Sequence, residues 1–200
     1  MSKYWKKVRK SISQFKQDSS LKLIKIAYNG ERANSELEWH RLRNPLRMLF
    51  TALVFEILRK TPPCGIKNSI YRMFGVNIGK DVSIAYNVLP DPLFPELLAI
   101  EDGVLIGSDC ELATHEFVRD SFSLGRTVIK KNAMLSGYTV VRAGTTIGEN
   151  AITGLYTFVN KDVGKDEFVG GIPAKLIKKI KPEDLKMKTE IELMRYNSEK

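Results

Sequence analysis

A six-residue repeat from Ile78 to Val163 constrains this 200-residue sequence more than any other feature. Eleven hexads can be aligned; ten open with Ile, Leu or Val, and ten carry a small or β-branched residue four positions later. Six of these hexads, from Ile129 onward, follow one another without interruption. A fixed short period is typical of a β-solenoid, in which no single repeat can bury its apolar face alone.

Each hexad has the length of a short strand followed by a turn. We expect the opening aliphatic side chain to point inward, and the residue four positions later to point inward into a narrower slot. Three hexads then close one triangular coil of about 18 residues, and successive coils stack at the strand spacing of about 4.8 Å.

The period is interrupted twice, and each interruption predicts a loop that leaves the coil. The spacing from Ile84 to Ile100, and that from Leu112 to Ile129, is not a whole number of hexads. Insertions in solenoids collect on one face, which is often the binding face. His115 lies at the start of the second interruption.

The segments outside the repeat are predicted to be helical. We divide the chain into an N-terminal helical region (1–74), the coil (75–175) and a C-terminal helix region (176–200). Within the last region, the helix itself is expected to begin at Pro182. Four signals in the first region indicate helices. They are an amphipathic face (Tyr4, Val8, Ile12 and Phe15), a capping box (Ser35–Glu38), an Asn-Pro start (Asn44–Pro45), and a short helix (67–74) before the terminating Gly75.

The net charge of +9 is concentrated near the N-terminus, where residues 1–28 hold eight Lys or Arg and one acid. Two roles remain open for the N-terminal helices: capping the coil, and peripheral contact with an anionic membrane surface. No aromatic-and-basic sheet motif is present, so we expect no nucleic-acid partner.

The two cysteines, Cys64 and Cys110, have no metal-site spacing and form no disulfide framework. Cys110 occupies a small inward slot of the coil, which predicts a packed thiol. The charged N-terminus lacks an apolar run followed by a small-residue cleavage site. These features predict a cytoplasmic protein.

Only two histidines could serve as a base near neutral pH. His40 lies in a charged helical segment without other catalytic groups, which favours a structural role. His115 lies where the repeat breaks, and we therefore predict that it is a general base. One histidine in the repeat region is too few for a metal site shared between subunits, so we expect no metal.

The hexads, the interruption with His115 and the closing segment GGIPAK (170–175) together resemble the left-handed β-helix acyltransferases, most closely the galactoside/maltose O-acetyltransferase group. The similarity covers roughly 75–178, about half of the chain. It implies an all-β solenoid core, a left-handed parallel β-helix, in a homotrimer. It also implies that acetyl-coenzyme A lies in grooves between neighbouring subunits.

The resemblance also implies site residues in this chain. His115 matches the catalytic histidine of the family, and Gly137 and Leu155 match positions that contact the pantetheine arm through the backbone. Further cofactor positions are Asn160, Lys161, Lys175 and Lys178, the last two near the phosphates. The chain departs from the family at Leu155-Tyr156-Thr157, where Ala-Gly-Ser is usual.

The predicted mechanism needs no covalent intermediate on the protein. His115 accepts the proton of an acceptor hydroxyl, whose oxygen attacks the thioester while backbone N–H groups hold the oxyanion. A carboxylate should orient His115, and the candidates are Glu116, Asp91 and Glu96, of which we favour Glu96. Asp91 and Glu96 are also candidates for binding the acceptor.

The predicted function is acetyl-coenzyme A-dependent O-acetylation of a sugar or polysaccharide precursor. Two alternatives stay open on the sequence: N-acylation of an amino sugar or other small amine, and a non-catalytic β-helix scaffold. The acceptor itself cannot be read from the sequence, because loops build the acceptor pocket.

Overall fold

The computed structural model describes residues 3–181 and Glu183. Its helices are α1 (Lys3–Gln17), α2 (Pro45–Arg59) and α3 (Gly65–Met73), with 3₁₀ helices at Glu36–Arg41 and Pro95–Leu97. Its strands are β1 (Leu23–Ala27), β2 (Asn77–Ile78), β3 (Ser83–Ile84), β4 (Leu89–Pro90), β5 (Leu98–Ile100), β6 (Leu105–Ile106), β7 (Glu111–Leu112), β8 (His115–Val118), β9 (Ser121–Gly125), β10 (Thr127–Ile129), β11 (Met134–Leu135), β12 (Val140–Val141), β13 (Thr146–Ile147), β14 (Ile152–Thr153), β15 (Phe158–Val159), β16 (Glu167–Gly170) and β17 (Lys175–Lys179).

Three parallel sheets form the core, and the chain visits them in a fixed order. The first sheet contains β2, β5, β10 and β13; the second contains β3, β6, β11, β14 and β16; the third contains β4, β7, β12 and β15. Ile129 pairs with Ile147, so one coil takes three hexads where the repeat is uninterrupted. The predicted all-β core is therefore confirmed.

The opening residue of each hexad is buried between the three sheets. Because side chains alternate along a strand, the other residue of each two-residue strand faces outward. Cys110 fills one of the narrower inward slots and is 1% exposed. Burial raises the pKa of its thiol to about 11, as expected for a packed cysteine. Aliphatic openers that line the core are Ile78, Ile84, Ile100, Ile106, Leu112, Ile129, Leu135, Val141, Ile147 and Val159.

Most corners of the coil use residues that tolerate a left-handed backbone. Positive φ values occur mainly at Asn, Asp and Gly, for which this conformation costs least. Tyr138 (φ 59°) and Tyr156 (φ 53°) are exceptions on successive coils. Their rings stack with centroids 4.5 Å apart and planes 5° apart.

The last coil is shorter than the repeat predicts. Val163 pairs with Ile147, and the two residues are less than three full hexads apart. The difference arises because the final corner, between the third and first sheets, is shortened. The backbone at Gly171 and Ala174 then bonds to Phe158 and completes the third face.

Helices α2 and α3 cover the beginning of the coil. Phe55, Leu58 and Tyr71 are buried against the coil core, so these two helices close this end of it. Asn44 accepts a hydrogen bond from the Arg47 N–H as the predicted N-cap of α2. Gly75, with φ of 109°, follows α3 as the predicted terminator.

Other predictions for the N-terminal region were wrong. The region is not wholly helical, because β1 pairs antiparallel with β9 of the coil insertion. Ser35 does not cap a helix; its hydroxyl donates to the carbonyls of Val118 and Ser121, and a 3₁₀ helix follows. In α1 the buried face includes Trp5 in place of Tyr4.

The described part of the predicted C-terminal helix begins as a strand. β17 pairs antiparallel with β16, so the boundary drawn at 175/176 falls inside a hairpin. The predicted helix start at Pro182 lies outside the described residues.

Candidate active site

The two insertions leave the coil from the same edge of the third sheet, on successive coils. The first follows β4 and the second follows β7, and these strands are parallel neighbours. Thr114 Oγ1 donates to the carbonyl of Phe94 at 3.0 Å, which joins the two insertions directly. Residues from both insertions therefore share one site, as the sequence predicts.

The second insertion is a β-hairpin rather than a loop. β8 and β9 pair antiparallel, and β1 from the N-terminal region adds a third strand. His115 is the first residue of β8, so its backbone position is fixed by the ladder and not by a flexible segment.

The carboxylate of Asp91 is the central group of this region, and its side chain is 2% exposed. Its Oδ1 accepts from the N–H groups of Leu93 and Phe94. Its Oδ2 accepts from the N–H groups of Thr114 (2.9 Å) and His115 (3.1 Å), and contacts Nδ1 of the His115 ring. Asp91 thus connects the start of the first insertion to the start of the second.

The environment of Asp91 stabilises its ionised form. Burial on its own raises the pKa of a carboxyl group, because it removes water from the charge. The contact with the His115 ring and the backbone N–H donors outweigh burial, and the pKa of Asp91 lies below its ordinary value. An ionised Asp91 can accept a hydrogen bond from Nδ1–H of the His115 ring, and in that tautomer Nε2 carries the lone pair that can take up a proton.

The His115 ring packs between aromatic side chains and borders an open cleft. Its centroid lies 5.0 Å from that of Phe117 and 6.3 Å from that of Phe94. The side chain keeps 26% exposure. The adjoining cleft of about 220 Å³ is lined by Leu89, Asp91, Pro92, Glu111, Leu112, Ala113 and His115.

Two carboxylates that the sequence nominated lie elsewhere. Glu96 forms ion pairs with Lys16 of α1 and with Arg43. The preference for Glu96 as the carboxylate that orients His115 was therefore wrong, and Asp91 makes that contact. Glu116 binds Arg142 through both oxygens, at 2.7 and 2.9 Å, and also does not orient His115. Side chains alternate along β8, so Glu116 points away from the face that carries His115.

The acceptor-binding predictions also change. Asp91 has both oxygens engaged by the protein, and Glu96 is neutralised by two cations, so neither is available to an acceptor hydroxyl. Glu111 lines the cleft and is exposed, and sequence analysis missed it. Its position immediately before the buried opener Leu112 is the signal, because that position faces outward in every hexad.

Asn160 and Lys161 line a second cleft further along the same edge of the coil. This cleft of about 530 Å³ also contains the Glu116–Arg142 pair and the Lys22–Asp162 pair. Lys22 precedes β1, so the N-terminal region contributes one wall. The predicted cofactor pair and His115 are therefore on one edge of the third sheet.

Gly137 and Leu155 lie at the opposite edge. Both precede strands of the third sheet, whereas His115 follows one. Leu155 is 68% exposed, and its Cδ2 lies over Gly137. Lys175 and Lys178 are on β17, at the end of the second sheet. The structure thus separates the predicted cofactor residues into groups within one chain.

Among residues 3–181 and Glu183, no three His, Cys, Asp or Glu side chains converge as metal ligands would. No protein-family model matches the chain.

Comparison with individual proteins identifies relatives. The chain is 33% identical over 142 residues to YvoF of Bacillus subtilis (strain 168), a predicted acetyltransferase. The aligned residues cover 70% of this chain and 83% of YvoF.

Two solved structures have a similar fold. The hexapeptide-repeat acetyltransferase VCA0836 of Vibrio cholerae, complexed with acetyl-coenzyme A, has a TM-score of 0.56 and 19% identity, covering 78% of this chain and 94% of that one. A galactoside acetyltransferase in complex with coenzyme A has a TM-score of 0.54 and 17% identity, covering 74% and 90%. With the stacked hexads and the relationship to YvoF, these likenesses show that the chain belongs to the hexapeptide-repeat acetyltransferases.

Proposed function

We propose that the chain transfers an acetyl group from acetyl-coenzyme A to a hydroxyl of a sugar or polysaccharide precursor. The observation that carries this proposal is His115, held by a buried, ionised Asp91 at the border of an open cleft. A carboxylate that fixes the imidazole tautomer while the other nitrogen stays accessible is the arrangement that general-base catalysis requires.

In the proposed reaction Nε2 of His115 takes the proton of the acceptor hydroxyl. The oxygen forms a bond to the thioester carbon, and the tetrahedral oxyanion collapses with cleavage of the C–S bond. The departing thiolate recovers the proton from His115, so acetyl ester and coenzyme A are formed without a covalent enzyme intermediate. Asp91 stabilises the transient imidazolium, and Glu111 is placed to accept a hydrogen bond from an acceptor hydroxyl.

The donor and acceptor classes are supported by the fold relatives. VCA0836 is complexed with acetyl-coenzyme A, and the galactoside acetyltransferase is named for a saccharide and bound to coenzyme A. Lys161, Lys175 and Lys178 supply positive charge of the kind that the phosphates of the donor need.

We further propose that the site is completed between copies of a homotrimer of left-handed coils. Gly137 and Leu155 lie at the opposite edge of the third sheet from His115, and one coil is too narrow to bring these edges together. A neighbouring copy that presents its Gly137 edge to the His115 edge would form a groove, which Asn160 and Lys161 would extend.

The experiment that tests the function is coenzyme A release from acetyl-coenzyme A, measured against sugars, amino sugars and nucleotide sugars. We expect release with a sugar hydroxyl, an alkali-labile ester as product, and a loss of at least about 10²-fold in turnover for His115→Ala. His40→Ala is the matched control and should retain activity. An alkali-stable amide as the sole product would assign the chain to N-acetylation, and full activity of His115→Ala would reject the mechanism.

A further inference from the structure

Helix α2 exposes a row of large apolar side chains to solvent. The exposed fractions are 79% for Leu46, 61% for Leu49, 60% for Phe50, 59% for Leu53 and 60% for Ile57. Their spacing of three, four, seven and eleven positions from Leu46 puts them on one helical face. The opposite face of α2, with Phe55 and Leu58, already packs on the coil. The exposed outer face of α2 is therefore not needed for packing the helix against the coil.

The same surface continues onto α3. Ile66 is 74% exposed, Met73 is 80% exposed, and the rings of Phe50 and Phe74 lie 5.8 Å apart where the two helices meet. Exposed apolar side chains scattered singly need no explanation, but a contiguous row marks an interaction surface.

Exposed cations border this apolar row. Six Lys or Arg residues and one acid, Glu56, lie in the segment 43–73, but Lys67 is buried and Arg43 pairs with Glu96. Three of the cations, Arg47, Lys60 and Arg72, are exposed on α2, at its end and on α3, while Glu56 pairs with Arg59 at 3.3 Å. An apolar helix face bordered by cations matches the interface of a bilayer with anionic head groups.

Helix α1, in contrast, has no apolar face left for a membrane. Trp5, Val8, Ile12 and Phe15 are all buried against the insertions and β9, although α1 is the more basic helix. No helix among the described residues is long and apolar enough to cross a bilayer.

We propose that α2 and the exposed side chains of α3 dock flat onto an anionic phospholipid surface. Two-fold packing of α2 on α2 of a second copy fits this face less well, because it would bring like cations together with only Glu56 on each side to compensate. The proposed trimer uses the two edges of the third sheet and leaves this face of α2 exposed. Anionic head groups neutralise the same cations while the acyl region takes up the apolar row.

The test is co-sedimentation of the full-length protein with vesicles of phosphatidylcholine, with and without phosphatidylglycerol. We expect binding to the anionic vesicles that weakens when salt rises from about 0.1 M to about 0.5 M. Leu53→Glu should weaken this binding at least about 10-fold, because it puts a charge in the centre of the apolar row. Leu37→Glu, at a side chain that is 48% exposed outside this face, is the matched control and should bind like the wild type.

Leu46→Glu provides a second variant whose folding is not at risk, since an acid in the first turn of a helix is favourable. Circular dichroism and sedimentation equilibrium are recorded for every variant. The proposal is overturned if the wild type does not bind anionic vesicles. It is also overturned if Leu53→Glu and Leu46→Glu both bind these vesicles as well as the wild type does. Loss of the oligomer in Leu53→Glu with vesicle binding unchanged would show that a second copy covers α2 instead.

Discussion

The carboxylate of Asp91 shows how a buried charge can be tolerated and used. Desolvation of an ion inside a protein is costly unless hydrogen bonds replace the lost water. Four N–H groups of the backbone and the His115 ring fill that role here. Because the same oxygen meets the His115 N–H and its Nδ1, backbone and ring are oriented together. The orientation of the ring thus depends on one residue.

Asp91→Asn should lower kcat by roughly 10²–10⁴-fold while the KM for acetyl-coenzyme A stays near the wild-type value. The Asn amide cannot accept all the N–H donors, and its NH₂ group favours the wrong imidazole tautomer. Steady-state kinetics measure the effect, and a shifted pH–rate profile separates it from simple unfolding. Glu96→Gln serves as the control because its carboxylate does not contact His115. A kcat within about threefold of the wild type would contradict the orienting role.

The position of His115 beside the insertions could be predicted from the sequence, but the carboxylate that contacts it could not. The break in the repeat drew attention to His115, and a base near neutral pH has few alternatives. Choosing among Asp91, Glu96 and Glu116 required knowing which way each side chain points. Glu96 is separated from His115 by its cations, and Glu116 by strand alternation. Neither relation is visible in spacing along the chain.

At the level of elements, the first insertion is held by an ion network that the sequence did not indicate. Glu96 joins Lys16 of α1 to Arg43 before α2, and Arg43 also donates to the Leu93 carbonyl at 2.7 Å. Burial would raise the pKa of Glu96, but its two cations lower it below the ordinary value. The folded state therefore favours the ionised form and is linked to pH.

Glu96→Gln should destabilise the protein by about 1 kcal/mol at neutral pH and much less in acid. The stabilisation by ionised Glu96 is complete above the unfolded pKa of about 4.3 and is lost as pH falls through the lower folded value. Urea unfolding at a series of pH values measures this difference. A gap between wild type and variant that stays constant down to about pH 3 would contradict the linkage.

The stacked pair Tyr138 and Tyr156 permits a test of where the donor binds. Replacing both by Asn should not destabilise the protein, because two left-handed residues are relieved and only one ring contact is lost. Relief of a left-handed backbone at a bulky residue is worth about 1–2 kcal/mol per residue, or about 2–4 kcal/mol for the pair, which exceeds the lost ring contact of about 0.5–1.5 kcal/mol. The KM for acetyl-coenzyme A should nevertheless rise, because these rings adjoin Gly137 and Leu155. Tyr86→Asn, on the same edge, is the control. If the double variant has the same KM as the wild type, the donor binds elsewhere.

The elements were predictable where they repeat and not where they are single. Strand positions from Ile129 to Val159 follow from the hexads, because every coil imposes the same inward pattern. β1 was missed because a short stretch of alternating character carries little signal on its own. It becomes a strand only because β9 offers a free edge. Ser35 likewise has a capping sequence, but the carbonyls of the hairpin compete for its hydroxyl.

At the level of the whole molecule, the residues of the proposed site lie on two edges of the coil that face away from each other. The His115 edge carries the hairpin, the second cleft and the pairs that line it. The Gly137 edge carries the strained tyrosines and the exposed Leu155. If half of the proposed site lies on each edge, only closed association would complete it, and the proposed ring of identical copies would do so.

Mixing two inactive variants should therefore restore activity. His115→Ala removes the base, and Leu155→Arg, at an exposed side chain, blocks the donor edge without entering the core. In randomly assembled mixed rings, about one quarter of the sites combine an intact His115 with an intact Leu155 edge, because each comes from a different copy. Activity after co-expression should thus approach about one quarter of the wild type, in particles with three times the chain mass by sedimentation equilibrium. Each variant alone, and the two mixed without subunit exchange, are the controls. If the site were contained within one chain, every copy would carry one defect, and the mixed rings would be as inactive as their parents.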